Sequence, residues 1–173
     1  AGASEMSMAQ WASAFAESAL GLTKSVGDLA GACLFATTMG ISRMLYGKFG
    51  EKIDLIKFML VSGVICVVSY LLAGLSAMPI WGLVGCVMCG FSVGIMWPGS
   101  ISITAPRIPK GGTALFALLA MAGDMGGAFG PSVVGYFSQH AGDNLQAGLL
   151  TGCIFPLIML ATLIAMKKMT PEG

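Results

Sequence analysis

The sequence predicts an all-α fold, a polytopic membrane helix bundle with six transmembrane helices. Three observations carry this expectation. No Asp, Glu, Lys or Arg occurs from Phe58 to Pro106, and one crossing needs about 20 apolar residues, so that run holds two helices and a break. Charged residues are 10% of the chain and hydrophobic ones 56%, whereas soluble domains are about 25% charged. The cations are also bunched at short turns between apolar runs: Arg43, Lys48, Lys52 and Lys57 all fall within residues 40–58.

The elements follow in order. Residues 1–20 are helical in composition, but Glu5, Gln10 and Glu17 make them too polar for a lipid-facing span. They suit a helix lining a wet cavity, and they read as the later part of a helix that begins upstream. No basic region followed by an apolar core marks them as a signal peptide. A turn at 21–25 opens a second helix, 25–46, with Ser25 and Asp28 as its capping box. Gly27 and Gly31 there form a GxxxG contact. Asp54 is the expected cap of a third helix, 55–75. Met78-Pro79 then breaks the apolar run. The fourth helix, 80–104, spaces the small residues Cys86, Gly90 and Gly94 by four. A basic turn with Arg107 and Lys110 leads to a fifth helix, 113–138, which holds Asp124 and the run GGAFGP. Gly126 and Gly130 are expected at a close helix contact, and Gly152 at an open position. The sixth helix, 144–166, should kink at Pro156; Lys167 and Lys168 end it.

Charge sets the expected orientation, because Lys and Arg near helix ends are retained on the cytoplasmic side. Placing 43–57, 105–112 and 167–173 inside puts every Lys and Arg except Lys24 there. The expectation is a multi-pass protein of the cell membrane with a cytoplasmic C-terminus.

Other classes are poorly supported. A net charge of +1 with no basic arm gives no reason to expect nucleic acid. Cys86 and Cys89 form a CxxC without the second Cys or His pair that a metal site needs. All five cysteines lie in apolar runs and are expected as buried packing residues, as are the 13 methionines; no metal or other cofactor is expected. HExxH is absent, and His140, the one histidine, falls in a turn, so an enzyme is not expected.

The first basic turn carries a recognisable pattern. Gly47 is followed four residues on by Glu51 and then by Lys52. This resembles the loop motif Gly-x-x-x-Asp-Arg-x-Gly-Arg-Arg of the major facilitator superfamily, in the degraded form of its C-terminal halves. Asp54, Leu55 and Ile56 stand where the later glycine and two arginines would be. Arg43 after Gly40, and Gly130-Pro131 followed by Gly135, are similar to further elements of these transporters. The opening GASEMSMAQW resembles the seventh helix of sugar-permease-like members, with an extra Ser between Ala3 and Glu5. The resemblance implies helices seven to twelve, built as two inverted three-helix repeats with a solute site near the bilayer midplane. It implies a secondary transporter that moves a small polar solute, such as a sugar or related metabolite, by alternating access, by symport with an ion or down the solute's own gradient. Its partners would be the solute, the lipid bilayer, and an N-terminal six-helix half or a second copy. A non-transporting truncated membrane protein or assembly element stays open as the alternative.

Six residues are candidates for contact with solute. Asp124 falls at the middle of its helix, where a lone carboxylate costs about 2.5–3.5 kcal/mol on insertion scales. It must face a cavity, a partner or a proton; a hydrogen-bonded Asp between Gly-rich helices is the packing alternative. Glu5 is the other deep acid. Trp11 and Trp97 can stack on a sugar ring, although interfacial anchoring is the commoner use of Trp. Gln10 and Ser100 can hydrogen-bond hydroxyls. Arg43, Gly47, Glu51 and Lys52 form the loop motif, for which the expected role is conformational.

Overall fold

The computed structural model describes residues 1–50 and 53–169. They form eight helical segments: α1 (Gly2–Leu20), α2 (Lys24–Phe49), α3 (Leu55–Leu75), α4 (Pro79–Val93), α5 (Met96–Arg107), α6 (Gly112–His140), α7 (Leu145–Gly152) and α8 (Ile154–Met169). Because α4 with α5 and α7 with α8 are two halves of one crossing each, the bundle has six helices. Five of them, all but α1, are long and apolar enough to cross a membrane.

The helix ends have local causes. Gly21 closes α1 in the left-handed region, with φ 62°. Thr23, not Ser25, holds the extended N-cap position of α2, and its carbonyl accepts from the N–H groups of Val26 and Gly27. Ser25 therefore lies inside the first turn, and the expected Ser25–Asp28 capping box is not formed. Asp54 does cap α3: its side chain accepts from the Lys57 N–H at 3.1 Å and pairs with Lys57 Nζ at 3.2 Å. That main-chain hydrogen bond holds the Asp54 carboxyl below the ordinary Asp range. Pro79 occupies the first turn of α4, where its missing N–H would be unpaired anyway.

The two divided crossings correct the expectation of continuous helices. The fourth breaks at Gly94 and Ile95, and the sixth at Cys153, one turn before the proline expected to kink it. Both coincide with a proline, although Pro131 is carried inside α6 without a break. A proline deprives the carbonyl four residues earlier of its helical donor, and here those carbonyls belong to Gly94, before Pro98, and Gly152, before Pro156.

Small residues let the helices meet backbone to backbone. A Cβ on Gly31 would lie 2.6 Å from the Ala12 carbonyl, and one on Gly130 would lie 2.8 Å from Ala3 Cα. α1 thus runs between α2 and α6, in contact with both. Gly90 and Gly94 press α4 onto the Phe35 and Met39 carbonyls of α2. The first helix of each expected triple therefore packs on the second helix of the other, α1 on α6 and α4 on α2. Gly152 is not open: a Cβ there would stand 2.8 Å from Tyr70 Cε1. Gly135 in α6, by contrast, has open space where a Cβ would be.

The main core joins Met8, Phe35, Tyr70, Cys89, Val93, Val134 and Leu149. A second cluster, Met59, Ile95, Ile103 and Leu163 with Tyr46 and Met166 against it, gathers the end of α2, the start of α3 and the ends of α5 and α8. The basic turns accordingly share one end of the bundle. Cys33 departs from the expectation for cysteine. It is exposed, while Cys66, Cys86, Cys89 and Cys153 are buried.

Candidate functional site

Three helices border a half-open cavity of about 450 Å³ whose wall contains Glu5 and Met6 from α1, Trp97 from α5, and Gly123, Asp124 and Gly127 from α6. Each side chain is placed by a local feature. Glu5 lies in the first turn of α1 and is partly buried. Trp97 lies in the first turn of α5, directly after the helix break, so the break sets the direction of its indole. The ring lies over Gly123, where a Cβ would stand 2.8 Å from Cζ3. Asp124 is the residue after Gly123, near the middle of α6, and is exposed toward the cavity.

Of the six candidates, the cavity unites Glu5, Trp97 and Asp124. It leaves out the other three for geometric reasons. At 3.6 residues per turn, Gln10 and Trp11 point more than a quarter turn away from Glu5. Gln10 is exposed elsewhere, and Trp11 packs against the main core. Ser100 faces a separate cavity of about 170 Å³, bordered by Met59, Met159 and Thr162, and donates to the Met96 carbonyl at 2.6 Å. Met6, Gly123 and Gly127 were not expected. The last two are i, i+4 neighbours flanking Asp124, and that spacing is the signal which points to them.

The loop motif divides similarly. Arg43 Nε donates to the Gly94 carbonyl at 3.1 Å. Gly47 is exposed with open space where a Cβ would be. Glu51 and Lys52 lie outside the described residues.

No Lys, Arg or His borders the cavity among the described residues, and none of their His, Cys, Asp and Glu groups is clustered to hold a metal. Two carboxylates can accept hydrogen bonds from hydroxyls or attract a cation. An indole face suits sugar C–H groups and organic cations alike. This arrangement can bind and orient a solute; it offers no nucleophile.

Scanned against known families, residues 2–172 match the Major Facilitator Superfamily. Among curated proteins, the chain is 28% identical over 159 residues to the "Multi-drug resistance efflux pump PmrA" of two Streptococcus pneumoniae strains. The match takes in 86% of this chain and 39% of each relative. The chain thus spans about two fifths of their length. No solved structure gives a significant match. The family and the relatives' name point to a transporter, not to an enzyme.

Proposed function

The chain belongs to the major facilitator superfamily, and we propose that it is the C-terminal six-helix half, helices seven to twelve, of a secondary transporter. The observation that supports this reading best is the cavity. It draws a carboxylate from α1, an aromatic ring from a broken crossing and a second carboxylate from α6. Discontinuous helices at a repeat interface are where such proteins hold their solutes. The reciprocal packing of α1 on α6 and α4 on α2 supports two inverted repeats, 1–75 and 79–169. The exposed apolar residues Leu34, Ile41 and Met44 of α2 and Met121, Met125 and Phe129 of α6 support a further six-helix half, or a second copy, across the cavity. On this reading the basic end faces the cytoplasm and the C-terminus with it.

The solute is a small polar molecule, with a sugar or related metabolite as the first reading: Glu5 and Asp124 would accept from hydroxyls, and Trp97 would stack on the ring. A lipophilic organic cation is the second. It is favoured by two carboxylates with no cation in the wall and by the efflux-pump name of the relatives. The test uses the full-length protein in vesicles, with radiolabelled neutral monosaccharides and a fluorescent lipophilic cation under an imposed proton gradient. Saturable sugar transport supports the first reading, and movement of the cation the second. No transport of either by correctly inserted protein would favour a non-transporting assembly element.

A further inference from the structure

We propose that Arg43 is a positioning residue for the cavity, which fixes the α4–α5 break and through it the placement of Trp97. The Gly94 carbonyl has lost its helical donor because Pro98 has no N–H. Gly94 is buried, and a buried carbonyl left without a donor is costly. Arg43 supplies the donor from α2, its Nε at 3.1 Å, as a charge-assisted hydrogen bond of the stronger kind.

The approach is built into both helices. A Cβ at Gly94 would lie 2.8 Å from the Met39 carbonyl and 2.9 Å from Ser42 Cβ, so only glycine lets α4 come close enough. Two turns earlier, Thr38 Oγ1 lies within 3.0 Å of the Val87 carbonyl of α4 and of the Phe35 carbonyl of its own helix, and its one proton is shared between them. Trp97 follows Gly94 by three residues. Any change in the direction of α5 therefore swings the indole relative to Gly123 and Asp124. Arg43 also lies one turn before Gly47 in α2, so this hydrogen bond ties the end of α2 to the break that precedes Trp97. The consequence for transport rests on the cavity being the solute site, whereas the placement of Trp97 does not.

The test reads that placement directly. Full-length protein is labelled with 5-fluorotryptophan, and the Trp97 fluorine resonance is identified as the line lost in Trp97→Phe. Arg43→Ala should move this line by more than its width and leave those of Trp11 and Trp81 in place. Lys48→Ala, which removes a cation from the end of the same helix, should move none. Pro98→Ala returns a helical donor to the Gly94 carbonyl, so in that background Arg43→Ala should shift Trp97 no further, a non-additivity diagnostic of one shared interaction. If Arg43→Ala does not fold, Arg43→Gln is read in the same two backgrounds. An unmoved Trp97 line, or an equal shift with and without Pro98, overturns the proposal. A moved line with unchanged solute affinity would keep the positioning role and reject the cavity as the solute site.

Discussion

The phenolic O–H of Tyr70 in α3 donates to the main-chain carbonyl of Ser4 in α1 at 2.8 Å, and the residue is fully buried. The bond ties α3 to the helix that carries Glu5, one residue after Ser4. The ring also fills the space left by Gly152. Tyr70→Phe removes only the hydroxyl, a loss of roughly 0.5–1.5 kcal/mol for a net hydrogen bond. Tyr70→Ala removes the ring as well, and large aromatic truncations cost about 3–5 kcal/mol. Thermal unfolding in detergent should therefore rank wild type, Phe and Ala in that order with the larger gap last. Equal losses would mean that the hydrogen bond outweighs the packing.

Gly130→Leu should sharply lower the yield of folded, detergent-stable protein, while Gly135→Leu should be tolerated. Both glycines are in α6, but a Cβ at Gly130 would meet Ser7 Oγ at 2.6 Å, and one at Gly135 would meet nothing within 4 Å. Size-exclusion chromatography of the two variants side by side checks this. Equal tolerance would show that α1 and α6 do not meet at Ala3 and Gly130.

These positions also mark how far the sequence could be read. Four-residue spacings of small residues identify real seams, because i and i+4 share a helix face: Gly27 and Gly31 against α1, and Gly90 and Gly94 against α2. The Asp54 cap was equally legible, since an Asp at a turn before an apolar run has few other uses. The breaks were harder to read. Proline acts on the carbonyl four residues earlier, so Pro156 divides the chain at Cys153, and the weight of Pro98 is felt at Gly94. The rotation of α1 was not legible at all. Gln10 and Glu17, seven residues apart, share one face while Glu5 lies on another, so the polar pattern does not say which face points into the cavity. Only packing of Ala3 and Ser7 against Gly130 turns Glu5 toward Asp124 and Gln10 away.

The shared basic end leads to a topological prediction. Single cysteines introduced at Lys48 and Lys110, in a background without native cysteines, should react with a membrane-impermeant maleimide from the same side. A cysteine at Asp143 should react from the other. On the proposed orientation the first two label only in inverted vesicles. Labelling of all three from one side would be incompatible with six alternating crossings.

The last prediction concerns the two acids. Glu5 and Asp124 reach one cavity from helices that are far apart in sequence, and no basic residue among the described ones borders that cavity to pair with them. If they serve only packing, Asp124→Asn should change little, since it keeps the shape and most of the hydrogen-bonding capacity while removing the charge. If they serve the solute, the variant should reach the membrane in normal amounts with its transport, or the pH dependence of transport, clearly altered. A sugar held by hydrogen bonds to carboxylate oxygens should lose about tenfold or more in affinity, because a charge-assisted bond contributes about 1.5–3 kcal/mol. An organic cation held mainly by charge should lose affinity in both Asp124→Asn and Glu5→Gln, and most in the double variant. The measurement is uptake by the full-length protein in vesicles across a pH series, with each single change and both together. Wild-type uptake by all three variants at every pH would remove the carboxylates from the site and leave Met6 and Trp97 among its side-chain determinants.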